Sequence, residues 1–297
     1  IQGLNRSRSN SDFLIVPELI ISRPREEGPE SEGYFVKPTP GQENNDIVYG
    51  FVSDTKFSIN RGFFTEPINV EITTKTPETT IKYTIDGSDP RENGAKTYLN
   101  KIEITDTTTL RAIALKEGFQ PSNIDTQTYF YASDIISQNK MDRDITNNPN
   151  YSKTIQDNLS NNIPVISLTV EDEAFFGNLG IYSNPELSGR GSEIPVSIEF
   201  HNPLDSENSF QIDAGIRIHG GNARAHPKKP MRLYFREEYG KRRLNYPIFP
   251  ESPVQSFDQL ILRSGGHDSW SLADSFGRDE SLDLPPHGTL MRDQSLR

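Results

Sequence analysis

The feature that most constrains this chain is a two-residue hydrophobic alternation that never runs longer than a few positions. Ile68, Val70 and Ile72 alternate with polar neighbours, and Ile81, Tyr83 and Ile85 do the same. Such patterning buries one face of each strand and wets the other. Asp86-Gly87 then supplies a turn that tolerates positive φ, and Ile102 to Ile104 and Leu110 to Leu115 complete a sandwich-like set between Phe51 and Phe130. A second series follows Ile163: Val165 to Val170, Val196 to Phe200, Ala214 to His219, Met231 to Phe235 and Gln259 to Arg263, the later runs spaced as hairpins. With 21 Gly, 21 Pro and no heptad or helical stripe, the chain is predicted to be mainly β. The expected order is a small Ig/FnIII-like β-sandwich, then a mostly antiparallel β unit.

A length of 297 residues and a 33% apolar share suit small domains joined by polar segments rather than one continuous core. Residues 1–50 carry Ser/Arg, Glu/Gly/Pro and Asn clusters around Phe13 to Ile21, and are predicted to be the end of a preceding domain plus a linker. Residues 51–131 are the sandwich. Residues 132–162, rich in Asn, Asp, Ser and Lys, are predicted to be a linker with one short helix; residues 163–297 are the second unit. The chain starts at Ile1, and Thr289 to Arg297 reads as a helix just beginning, so a piece of a longer protein is expected. No apolar run approaches the roughly 20 residues needed to span a bilayer. The absence of cysteine excludes disulfides, thiolate zinc sites and cysteine nucleophiles.

The formal charge of −11 argues against a nucleic-acid partner. Between Arg217 and Arg243, however, nine Lys/Arg face two acids, a local +7 that leaves −18 to the remainder. That block suggests a local anionic ligand. Within it a strand ends in Gly215 to Arg224, containing Gly220-Gly221, and Lys228-Lys229 leads into the next strand. Glycines let backbone N–H groups approach an anion, and a lysine beside them adds a movable positive charge. The layout fits phosphate handling, although neither a Walker A loop nor the usual kinase or dinucleotide glycine spacing is present. Adjacent lysines on a strand point opposite ways, so either Lys228 or Lys229 is the candidate, with Lys229 preferred.

Other candidates read as structural. Asp86 and Asp89 fall far short of a calcium shell and fit a turn. His219 and His226 lack a third ligand, so no metal site is expected. His267-Asp268 looks like a loop brace, Trp270 a packing anchor, and 271–288 an insertion without chemistry. No G-x-S-x-G elbow is present. No cluster of exposed aromatics stands out in 51–131, which reads as a spacer rather than a binder.

Two resemblances sharpen these expectations. Tyr83 to Pro90 (YTIDGSDP), followed by Thr109 to Ala114 and Gly118-Phe119, resembles the chitobiase/β-hexosaminidase C-terminal-type repeat. Gly180-Ile181-Tyr182 with Asn184-Pro185, Pro195 to Phe200, Gly215 to Arg224, Lys228 to Phe235 with Tyr239-Gly240, Tyr246 to Phe249, Leu260 to Arg263 with Asp268-Ser269-Trp270, and Arg292-Asp293-Gln294 follow one another as in the CotH family (spore coat protein H-like).

The CotH resemblance implies an atypical kinase-like fold, α+β in the full-length parent, of which 163–297 is a truncated N-lobe. The implied parent is extracytoplasmic, secreted or on the cell surface, and of bacterial type; it would use ATP and Mg²⁺ to phosphorylate protein hydroxyls. Lys229 or Lys228 would sit near the nucleotide phosphates with Gly220 and Gly221, Arg217 and Arg232 would add charge, and Arg292 and Asp293 would open a helix that braces the lysine. The family usually has Ser before Arg in the glycine turn, where this chain has Asn222-Ala223-Arg224, so a hydroxyl contact to phosphate is lost. The base and metal-binding acids lie downstream in the family, so this piece is expected not to be catalytically complete, and its catalytic residues are unassigned. The rivals are a non-enzymatic cell-surface or structural protein and a carbohydrate-binding surface module.

Overall fold

The computed structural model describes residues 34–35, 47–138, 143–161, 163–203, 209–249 and 252–264. Strand β1 (Tyr34–Phe35) pairs antiparallel with β2 (Ile47–Val48). The sandwich follows as β3 (Lys56–Phe57), β4 (Gly62–Phe63), β5 (Ile68–Val70), β6 (Ile72–Thr73), β7 (Thr80–Thr84), β8 (Lys96–Thr97), β9 (Ile102–Ile104), β10 (Thr108–Leu115) and β11 (Asp125–Phe130). Its main sheet has the order β4-β11-β10-β7-β8, antiparallel except for the parallel β4–β11 contact. The pairs β5–β9 and β3–β6 cover one face of it.

Alternation explains the filling between these layers. Leu110, Ala112 and Tyr129 from the main sheet meet Val70, Ile72 and Ile104 from the short pairs. The Tyr129 hydroxyl donates to the Ile59 carbonyl at 2.9 Å, which satisfies its polar end inside the core. The pattern runs out at Ile85, which is exposed because β7 ends at Thr84 and the chain turns through Gly87 (φ +82°).

The segment 132–162 differs from the expected linker with one short helix. It contains three helices, α1 (Ala132–Ser137), α2 (Arg143–Thr146) and α3 (Pro149–Asn161). Local signals account for α3: Pro149 occupies its first position, the Asn148 side chain accepts from the Asn150 amide at 3.0 Å, and Lys153 pairs with Asp157 one turn on. No residue of α3 is fully buried, although Tyr151, Ile155 and Leu159 recur at a four-residue spacing along one side of it.

The second unit contains β12 (Val165–Val170), α4 (Asp172–Phe176), β13 (Ile194–His201), β14 (Phe210–Ile218), β15 (Met231–Tyr234), β16 (Leu244–Asn245), β17 (Ser256–Phe257) and β18 (Gln259–Leu262). Its five-stranded sheet has the order β12-β13-β14-β15-β18, and every pair is antiparallel. One face is apolar: Val196, Ile198, Ile212, Ala214, Ile216 and Leu233 pack with Phe175, Ile181 and Leu244. The other face is polar, and the sandwich lies against part of it. Strand β11 lies over β13 in step, with Thr126 against Ser197, Thr128 against Glu199, and Phe130 against His201.

Candidate functional site

The residues proposed from sequence fall into two groups, one on each face of the second sheet. The first is built by the loop between β14 and β15. Gly220 adopts φ +92°, which favours glycine, and turns the chain out of β14. Arg224 ties this loop to the segment after α4, donating from Nη1 to the Pro185 carbonyl at 2.8 Å and from Nε to the Gly220 carbonyl at 2.5 Å. The Tyr182 hydroxyl returns a bond to the Pro227 carbonyl at 2.7 Å. Lys229 is buried, and Lys228 beside it is exposed. The Lys229 ammonium donates to the carbonyls of Arg224 (2.6 Å) and His226 (3.2 Å) and sits 4.8 Å from the centre of the Tyr182 ring. Two of its three donors are thus committed to the loop that follows the glycine bend. Among the described residues no carboxylate pairs with Lys229 or Arg224.

Arg217 and Arg232 belong to the opposite face. They are direct cross-strand partners in β14 and β15, next to the core-facing pair Ile216 and Leu233. The Arg217 guanidinium lies 4.5 Å from the centre of the Tyr234 ring and donates to that residue's hydroxyl. Arg232 Nη2 is 3.3 Å from His219 Nε2, and its Nε is buried without a hydrogen-bond partner. Burial and the charges of Arg232, Arg224, Arg217 and Arg263 push the His219 imidazole below its ordinary range, so it stays neutral and accepts from Arg232. The six proposed phosphate contacts therefore do not form one pocket: Lys229 lies with Tyr182 on the core side, and the arginine pair lies behind the sheet.

The remaining candidates have local partners. Asp86 accepts from the Ser88 hydroxyl and amide, which lower its pKa; partial burial raises that of Asp89, but the Arg91 guanidinium and amide outweigh it. Among the described residues no group of three or more His, Asp or Glu is arranged for a metal. Arg292, Asp293, His267, Asp268, Trp270 and the 271–288 segment lie outside the described residues.

Sequence reasoning missed the polar contact between the two units. Glu199 is fully buried, accepts from the Thr128 amide at 2.9 Å and from the Thr128 hydroxyl, and lies 3.4 Å from Arg61 Nη1. Burial raises the Glu199 carboxyl above its usual range and lowers the Arg61 guanidinium. His201 is pushed down to about 3 by burial and by Arg61. Asp213, also on this face, is pushed up to about 6, chiefly by burial, against hydrogen bonds from Ser197 and Gln211 and the attraction of Arg111. Glu199 alternates with Ile198 and Phe200 as a solvent-facing residue would, so the local pattern carried no signal of its burial. A second omission is an aromatic corner. Tyr49 and Phe51 are 55% and 46% exposed, and the Tyr49 ring lies over Gly118, where a Cβ would approach it to 2.8 Å.

Comparison with known families bears on the first unit alone, where the chitobiase/beta-hexosaminidase C-terminal domain model matches residues 59–126. This segment is similar to chitobiase/beta-hexosaminidase C-terminal domains. The match spans β4 to β10 and the start of β11, so the strand that covers Glu199 begins inside the chitobiase-type domain. No curated protein and no solved structure matches the chain. Nothing in these comparisons extends to the CotH resemblance of 163–297.

Proposed function

We propose that the chain is part of an extracytoplasmic CotH-type protein, in which the second sheet is the N-lobe of a kinase-like domain and the loop from Gly220 to Lys229 faces a nucleotide's phosphates. The observation that carries this reading is a buried ammonium, unpaired with any carboxylate among the described residues, bonded to the loop that follows the Gly220-Gly221 bend. Backbone N–H groups at Gly220 and Gly221, with the third donor of Lys229, suit a phosphoryl tail. Exposed Lys228 would add only diffuse charge. When bound, MgATP would supply the phosphoryl group for transfer to a protein hydroxyl in the parent; the chain's own part is to hold the tail.

Calorimetric titration of MgATP and of pyrophosphate tests the assignment. Wild type is expected to bind, Lys229→Ala to lose about tenfold or more in affinity, and Lys228→Ala to lose little. An unchanged affinity in Lys229→Ala removes the assignment.

A second reading has its own observation. The exposed rings of Tyr49 and Phe51 at the edge of the chitobiase-type domain suit stacking on a sugar face, which would make this domain a glycan-binding surface module. Pull-down on insoluble polysaccharides is then expected to fail for Tyr49→Ala/Phe51→Ala. Equal retention of wild type and variant excludes it.

A further inference from the structure

We propose that the Arg217–Arg232 pair forms a second anion site, separate from the Lys229 loop and on the reverse face of the sheet, for a ligand bearing a dianionic phosphoryl group.

The case begins with register. Arg217 and Arg232 stand directly opposite each other on neighbouring antiparallel strands. Directly opposed like charges destabilise a sheet. Acids are plentiful in this chain, and the neighbouring arginines have them: Arg236 pairs with Glu193, Arg190 with Glu238, and Arg243 with Asp258. Among the described residues neither Arg217 nor Arg232 has a carboxylate within ion-pair distance. The fold therefore tolerates a repulsive pair where neutralisation lay within reach.

The pair is also held in place. Arg217 is fixed against the Tyr234 ring and hydroxyl, and Arg232 lies between His219 and Gln259, with Nη1 3.5 Å from the Gln259 Oε1. Packing of this kind removes much of the rotamer entropy that binding would otherwise have to overcome. Arg232 Nε, buried and without a partner, is a donor whose desolvation has not been offset by any bond among the described residues. Two planar guanidinium forks on one face match the tetrahedral oxygens of a phosphoryl group, which accepts bidentate hydrogen bonds from each.

His219 gives the site a local reporter. The charged groups acting on it are Arg217 from β14, Arg232 from β15, Arg224 from the loop and Arg263 after β18, all cationic. An anion seated on the pair would relieve that repulsion, so its binding raises the imidazole pKa and takes up a proton at His219.

The experiment follows the His219 imidazole by NMR while inorganic phosphate, or in a parallel arm a phosphoserine peptide, is titrated into the whole chain. Saturable shifts are expected, with an upward displacement of the His219 titration midpoint. Arg217→Gln and Arg232→Gln are expected to weaken binding about tenfold or more, Arg217→Lys less, and Lys229→Ala not at all. The melting temperature of each Gln variant is measured beside its binding, and lost binding in a variant that melts with the wild type is loss of the site rather than unfolding. Saturation by phosphate alone identifies a free-anion site, and tighter binding of the peptide identifies phosphorylated protein as the source. An unmoved His219, arginine variants that bind like wild type, or a loss that follows Lys229 instead would each overturn the site. The last outcome would leave the Lys229 reading standing, and a failure of Lys229→Ala to affect MgATP would leave this one.

Discussion

Replacing Glu199 by alanine tests whether the polar contact holds the two units together. The carboxylate is fully buried, accepts two bonds from Thr128 and stands 3.4 Å from Arg61, whose Nη1 has no hydrogen-bond partner among the described residues. Truncation strands the Thr128 amide and hydroxyl, at about 1–3 kcal/mol for each buried group left unmade. It also leaves the Arg61 guanidinium buried without its counterion. Breaking such a pair from one side typically costs about 3–5 kcal/mol in all, a large share of the roughly 5–15 kcal/mol that holds most proteins folded. Glu199→Gln keeps an acceptor for Thr128 and only fails to neutralise Arg61, so about 1–2 kcal/mol is expected. Urea unfolding followed by circular dichroism and by tyrosine fluorescence measures both, and loosening of the contact should split one transition into two. A cost below about 0.5 kcal/mol for alanine, or equal costs for alanine and glutamine, would refute the account.

The same contact sets a pH dependence with opposing contributions. Asp213 has a raised folded pKa of about 6, so its contribution is complete below the ordinary carboxylate range and is lost as pH rises towards 6. His201 is depressed to about 3, so its contribution is present above the ordinary imidazole range and is lost as pH falls from about 6.5 towards 3. Relative to wild type, Asp213→Asn should therefore steepen the loss on acidification, and His201→Phe should steepen the loss between about pH 4 and 6 as pH rises; melting temperatures across that range check both. Gly215→Ala would bring a Cβ to 2.5 Å from Glu193 and 2.6 Å from the Tyr239 ring, and is expected to cost about 3 kcal/mol in urea melts. Leu233→Ala, at a fully buried position, should cost about 2–5 kcal/mol, against less than about 0.5 kcal/mol for Leu99→Ala on the surface.

What could be read from the sequence is what depends on near neighbours. Leu110 and Ala112 are buried as the alternation requires, and Ile198, Ile212, Ile216 and Leu233 line one face of the second sheet because each strand keeps a two-residue period. The lysine pair divides, one inward and one outward, but through the shape of a loop rather than strand alternation, since β15 begins only at Met231. Helix α3 was hard to read because its apolar stripe is three residues, Tyr151, Ile155 and Leu159, within an Asn-, Ser- and Asp-rich segment. The partnership of Glu199 with Thr128 joins residues 71 positions apart, and no local pattern encodes it. The CotH resemblance groups Arg217 and Arg232 with Lys229; each stands one residue out of step with the core-facing Ile216 and Leu233, which sends them to the other side of the sheet.

Strand β11 belongs to both units at once. Asp125 to Tyr129 pair with β10 along one edge, and Tyr129 and Phe130 with β4 along the other; Tyr129 fills the sandwich on one side, and Thr126, Thr128 and Phe130 meet β13 on the other. A segment with so many obligations has little freedom to drift, so across descendants of this gene it should change more slowly than any other stretch of the sandwich. A recombination that exchanged the first unit for a foreign one would have to import a matching strand or forfeit the junction.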